Sequence, residues 1–418
     1  MAATQPPGSG ITLYAELLSN IRQVSVVATL ASASDAATKA QVVEGGTAIR
    51  IHHHGHTQSL ALPAPAAAPG SLPIPTHPST QLSWRIPVST QVPKVSSFSL
   101  ENQALPWNAV DIQTAAAIRC RKCDHAIVEE GAITSWKDLP SENWAEMMEF
   151  WHCHKPHDHG DEEGHGHDRP DDEHLTKRGY GASNAISAKS GVGFVDITSF
   201  MFSEADCNGL SFSSSSLESG FDMSRLAMDE SQTSKYLHVY CKSCSTEVGL
   251  YNVLASSVSL FKWQVLCSTV SPCPAPSSLQ CLAATLTATI SRSGSSKSVI
   301  LPHSISPGTR PQAGDSRRAL RLWVLNPNVT YASSLVEGKR NAMKILWQTI
   351  DAESGNKLAD SITSDIQDIS LPSSVIETAH DTLESSNLYL PAKERSFKEW
   401  NVGLLERWDA SNSSQSNG

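Results

Sequence analysis

Short runs in which apolar side chains recur at every second position dominate the first hundred residues. ITLYAELL, QVSVVATL, AIRIHH, SLALP and LSWRIPV are rich in β-branched and apolar residues and are of strand length. Between the last two lies APAAAPGSLPIPTHPST, whose prolines favour extended, poorly packed backbone. The pattern predicts a small antiparallel β sandwich or half-barrel over residues 10–100, with a flexible loop near 63–80.

The period then changes. In LPSENWAEMMEFWHCH, Trp144, Met147, Met148 and Trp151 fall at i, i+3, i+4 and i+7 and share one helical face. Ser141 is placed to cap this helix, Glu142 meets its dipole, and Pro140 and Pro156 bound it. Strand patterning resumes at GVGFVDITSFMF, KYLHVYC, GLYNVLA, SLFKWQVL, LAATLTATI, RALRLWVLN and NAMKILWQTI. A last helix is predicted across VIETAHDTLESS, where Val375, Ile376, Ala379 and Leu383 lie on one side. The expected fold class is α+β, predominantly antiparallel β with a few helices.

Two stretches lack the apolar content to fold. One is the His- and acid-rich HKPHDHGDEEGHGHDRPDDEH and the other begins at NGLSFSSSSLESG. They predict disordered inserts near 155–178 and 207–235, with a disordered tail at 409–418. The division expected from these shifts is an N-terminal β-rich region, 10–100, and a second region, 101–408.

Charge and composition narrow the function classes. The 418 residues carry a net charge of −10 with no Lys/Arg-rich run, which disfavours a surface that tracks nucleic-acid phosphates. No window approaches 18 consecutive apolar residues, so no membrane-spanning helix is expected. The first residues lack the pattern of a secretory signal. With nine cysteines, an odd number, this suits reduced thiols in the cytoplasm or nucleus better than a disulfide framework.

Four of those cysteines form two Cys-x-x-Cys pairs, Cys120/Cys123 and Cys241/Cys244. Two cysteines at this spacing reach one metal from a tight turn, and each pair here ends a strand-like run. They are read as two distant knuckles sharing one structural zinc, a clasp assembled by tertiary structure. The alternative is buried thiols acting as small hydrophobes. A redox role is disfavoured, because neither pair opens a helix that would lower a thiol pKa.

Cys153 sits between His152 and His154 just past the first predicted helix. A neighbouring imidazole acting as base would make it a thioester-forming nucleophile. The C-terminal end of a helix raises a thiol pKa, which leaves metal ligation and simple packing open beside catalysis. His157, His159, His165, His167 and His174 lie among acids and glycines and read as a solvated loop. His52, His53, His54 and His56 lie on a predicted strand, where alternation directs them to both faces and away from a single site.

CRKC, the unit LPSENW with WHCH close behind it, CKSC followed by Gly249, and the C-terminal pieces NAMKILW and EWNVGLL together resemble the HECT-like ubiquitin ligases that bind ubiquitin-conjugating enzymes. The resemblance runs from about Ile118 to Trp408. It implies docking of a ubiquitin-conjugating enzyme and transfer of ubiquitin to lysines of protein substrates, with Cys153 as acceptor. It also implies Cys120, Cys123, Cys241 and Cys244 as zinc ligands. One departure stands out. HECT domains carry their acceptor cysteine near the C-terminus, whereas the last cysteine here is Cys281. Either Cys153 takes that role, or the protein is a non-catalytic, zinc-stabilised scaffold that binds a conjugating enzyme or a nuclear complex.

Overall fold

A computed structural model describes residues 10–67, 70–89, 105–139, 188–213, 236–253, 255–303, 317–361 and 365–408. The predicted helix around Trp144, with His152, Cys153 and His154, lies outside them, as do the later histidines from His157 to His174. The described chain is mostly antiparallel β with three α-helices, as the patterning indicated.

Seven strands come first: β1 (Ile11–Leu18), β2 (Gln23–Leu30), β3 (Lys39–Val43), β4 (Ala48–His53), β5 (His56–Ala61), β6 (Gly70–Leu72) and β7 (Gln81–Pro87). β1, β2 and β7 pair in sequence, while β5-β4-β3-β6 form a separate four-stranded sheet. Alternate residues of both sheets, among them Leu13, Val24, Val26, Ile49, Ile51 and Trp84, close one core. The Pro-rich stretch departs from the expected loose loop. Leu62, Ala64 and Ala66 alternate into that core, β6 pairs with β3, and the Trp84 indole donates to the Pro73 carbonyl at 2.8 Å. Small alanines at every second position let a Pro-rich edge pack closely.

Ten shorter strands follow: β8 (Ile118–Cys120), β9 (Ala126–Val128), β10 (Ser135–Asp138), β11 (Val192–Val195), β12 (Ser199–Ser203), β13 (Leu210–Ser213), β14 (Tyr236–Cys241), β15 (Glu247–Asn252), β16 (Ser257–Phe261) and β17 (Val265–Cys267). They form a seven-stranded sheet, β10-β11-β12-β16-β15-β14-β13, and a three-stranded sheet, β17-β8-β9. β13 falls within the stretch expected to be disordered from 207 onward. Leu210 and Phe212 alternate with serines there and pack on the core, a strand pattern hidden by the serine-rich composition. Trp107, Phe200 and Phe202 fill the centre. Lys262, buried to 1% exposure, donates to the Trp107 carbonyl at 3.0 Å and lies over the Phe200 ring.

The chain then returns to the first sheet with helix α1 (Ser278–Ser293), β18 (Lys297–Pro302), β19 (Arg318–Ser333), β20 (Val336–Asp351), helix α2 (Ala352–Ala359), β21 (Gln367–Leu371), helix α3 (Ser373–Asn387), β22 (Ser396–Phe397) and β23 (Trp400–Glu406). β19 and β20 form a hairpin of two 16-residue strands, and one end of β19 pairs with β1 while the other pairs with β18. α3 occupies the predicted final helix. α1 corrects the expected strand at LAATLTATI. Ser277 and Gln280 form a capping box, Gly294 terminates the helix at φ +70°, and Thr285 and Thr287 donate back to carbonyls one turn earlier. The β-branched threonines favour a strand locally; the two caps override them.

These pairings also redraw the division expected at residue 100. One compact unit comprises residues 1–106, 276–304 and 308–418, and the other comprises 107–275 with 305–307. The β1–β19 pairing, closed between residues more than 300 positions apart, is what joins the two ends of the chain in one unit.

Candidate metal centre

Within the second unit, the two Cys-x-x-Cys pairs adopt the same backbone. In the first, Cys120 ends β8, its N–H donates to the His125 carbonyl (2.8 Å) and its carbonyl accepts from Asp124 N–H (2.8 Å). In the second, Cys241 ends β14, its N–H donates to the Thr246 carbonyl (2.9 Å) and its carbonyl accepts from Ser245 N–H (2.8 Å). The residue after each second cysteine, Asp124 or Ser245, turns through left-handed φ of +61° or +56°. Both are residue types that tolerate this conformation in tight turns.

This turn aims backbone N–H groups at the first sulfur of each pair: Lys122 and Cys123 at Cys120, Ser243 and Cys244 at Cys241. The four sulfurs converge, all within 4.8 Å of one another. Across the pairs, Cys120 to Cys244 is 3.7 Å and Cys123 to Cys241 is 3.6 Å. A tetrahedral ion bonded to sulfur at about 2.3 Å spaces its ligands by about 3.8 Å, close to both of these cross-pair distances.

Electrostatics set the four thiols apart. Burial pushes Cys120 up to about 12 and raises Cys241, so neither ionises readily without a cation beside it. The hydrogen bond between Cys244 and the Thr246 hydroxyl, 3.3 Å from the sulfur, brings Cys244 down to about 6. Cys120 and Cys241 are fully buried, while Cys123 is exposed.

Further contacts brace each knuckle, and one segment joins the two. Arg119 binds Asp124 through two hydrogen bonds of 2.8 and 2.7 Å across the first turn. His238 and Glu247 meet at 2.7 Å below the second. The segment leading into β13 spans both: Asn208 N–H donates to the Ile127 carbonyl and Gly209 accepts from Lys242 N–H. Gly209 suits this position through its φ of +63°, and a Cβ there would also have to displace the His125 imidazole, 2.1 Å away. Nothing local in NGLSFS signals this bracing, because it depends on two partners remote in sequence.

The pieces that carried the resemblance have structural places. Gly249 lies where a Cβ would approach the Ser259 carbonyl oxygen to 2.0 Å, so β15 and β16 could not otherwise pair so closely. NAMKILW is part of β20 and EWNVGLL forms β23, which pairs with it; Gly403 of β23 packs against the backbone of Leu383 in α3.

Residues 16–402 match the family described as HECT-like ubiquitin-conjugating enzyme (E2)-binding. The chain belongs to that family. Among curated relatives, a Schizosaccharomyces pombe protein described as uncharacterized is 41% identical over 54 residues, 12% of this chain and 15% of its own. A Saccharomyces cerevisiae protein, also described as uncharacterized, is 30% identical over 80 residues, 18% of this chain and 22% of its own. The aligned stretches thus span less than a quarter of either relative. No solved structure matches the chain. For this member of the family, the clustering of the four cysteines adds a candidate metal centre built from the knuckles CRKC and CKSC.

Proposed function

We propose that this HECT-like E2-binding protein is a ubiquitin-protein ligase that docks a ubiquitin-conjugating enzyme and promotes ubiquitin transfer to substrate lysines. The observation that carries the reading is the family match, which extends over nearly the whole chain. One structural zinc, held by Cys120, Cys123, Cys241 and Cys244, supports the fold. Its chemistry when bound is that of a redox-inert tetrahedral cross-link between segments far apart in sequence. The reading places the protein in a reducing compartment, the cytoplasm or nucleus, where thiols stay available to a metal.

In the catalytic form of this reading, Cys153 accepts ubiquitin. Its thiolate attacks the carbonyl of the enzyme-bound thioester, the conjugating enzyme's thiol leaves, and a lysine amine then displaces Cys153. His152 or His154 takes the proton from Cys153. The test is discharge of a ubiquitin-loaded conjugating enzyme by wild type and by Cys153→Ser. A reducible ubiquitin adduct is expected in wild type only. Equal ubiquitination by both proteins overturns the covalent role.

A second reading is a scaffold that binds the conjugating enzyme without a thioester of its own. It is favoured by residues 282–418, which contain no cysteine and whose WNVGLLE segment serves as a core strand. Its signature is stable capture of the loaded conjugating enzyme with no change in discharge rate.

A further inference from the structure

The histidine-rich HHHGH segment is not absorbed by any of this. Alternation along β4 was expected to scatter its side chains, and it does separate exposed His52 from buried His53. The strand, however, ends at His53. His54 and Gly55 form a two-residue hairpin turn with φ of +48° and +80°, and the turn brings the His54 ring edge-on to His53 with centroids 4.2 Å apart. Asp35 approaches from the loop before β3, its Oδ2 3.4 Å from His54 Nε2. A ring nitrogen of each histidine and a carboxylate oxygen of Asp35 lie within 4.8 Å of one another.

The surroundings orient these groups in the way that supporting hydrogen bonds orient metal ligands. Asp35 Oδ1 accepts from Ala37 N–H, Thr38 N–H and the Thr38 hydroxyl at 3.0, 3.0 and 2.9 Å, which pins the carboxylate and leaves Oδ2 outward. His53 is held between two hydroxyls, Ser32 at Nε2 and Thr38 at Nδ1, each 2.9 Å away. The Thr38 hydroxyl gives its proton to Asp35, so His53 Nδ1–H donates to it and Nε2, which faces Ser32, carries the lone pair an ion would take in place of that hydroxyl. His54 and Asp35 are partly exposed, which leaves a coordination position open to water.

We propose that Asp35, His53 and His54 form a second, three-ligand site for a borderline divalent transition ion of the zinc type, separate from the four-cysteine centre. Two imidazoles and one carboxylate select such an ion over magnesium or calcium, which take all-oxygen sets. His56, two residues past His54, pairs with His53 across the hairpin.

The test is a zinc count by equilibrium dialysis on tag-free, full-length protein. The background replaces His157, His159, His165, His167 and His174 with Asn, so that the acid-rich segment does not contribute. Two equivalents are expected there. His54→Ala and Asp35→Asn should each retain one, with unchanged circular dichroism; Asn keeps the acceptor that the Asp35 turn needs. Thr38→Val should weaken the second equivalent by roughly ten- to a hundredfold. A single equivalent in the background, or two retained by both variants, overturns the proposal.

Discussion

The sulfurs of Cys123 and Cys241 stand 3.6 Å apart across 118 positions of sequence. Each first cysteine has a near neighbour in the opposite pair as well as in its own. An ion at this centre would therefore link the three-stranded sheet to the seven-stranded one, because Cys120 ends β8 and Cys241 ends β14. Such an ion would stabilise one unit and leave the other to its own core.

Purified protein should accordingly hold one tightly bound zinc that survives Cys153→Ser and is lost in Cys241→Ser/Cys244→Ser. Binding free energies of structural zinc are on the order of 10 kcal/mol, comparable to the stability of a whole domain. Calorimetry of the double variant should show the transition of residues 107–275 abolished or moved far down, with that of the other unit retained. Wild type that is fully folded and free of metal after exhaustive chelation would refute the zinc assignment.

Gly249 tests the packing beside that centre. Gly249→Ala forces a methyl into the Ser259 carbonyl, and backbone cannot give way as a side chain would. A loss on the order of 3 kcal/mol is expected. Gly55→Ala, at a turn with open space around it but φ of +80°, should lose only about 1–2 kcal/mol. Urea denaturation of the two variants distinguishes close packing from backbone conformation.

In the first unit, Lys344 reaches across β19 to Glu16 at 2.7 Å, and Tyr14 donates to the same carboxylate oxygen at 2.8 Å. Their side chains are only 15% and 9% exposed. Lys344→Met strands a buried carboxylate and should destabilise by about 3–5 kcal/mol. Adding Glu16→Gln should restore part of this, giving a coupling of about 0.5–3 kcal/mol in the double-mutant cycle. Additive losses would mean that the pair is not coupled.

Acid sensitivity follows from the cap of α2. The backbone N–H of Ser354, with its hydroxyl, bonds the Asp351 carboxylate and holds its pKa below the ordinary 3.8. A depressed folded pKa means that this stabilisation is fully present above the unfolded value and is lost as pH falls through the folded one. Melting temperature measured from pH 5 to pH 2 (about one unit above the unfolded value to well below it) should fall less steeply in Asp351→Asn than in wild type. Parallel slopes would show that the cap does not titrate over this range.

The strand periodicity of β1, β2 and β7, the helical face of α3 and the Cys-x-x-Cys spacings are all local, and the sequence alone exposed them. Each is a property of a few residues whose side chains repeat with the backbone's own period. α1 was also local, but its evidence lay in Ser277, Gln280 and Gly294 at its ends, while the threonines between them pointed to a strand. His54 was misread for a similar reason: alternation holds only within a strand, and the left-handed His54-Gly55 turn ended it.

What only the tertiary structure decided is which distant segments meet. Backbone hydrogen bonding is the same for every residue, so nothing in ITLYAELL names β19 as its partner, and nothing in CRKC names CKSC. Those choices come from burying many apolar faces at once, a property of the whole chain. The two cysteine pairs were legible as half-sites; packing brought them into one cluster, with the two cross-pair distances near the spacing of a tetrahedral metal.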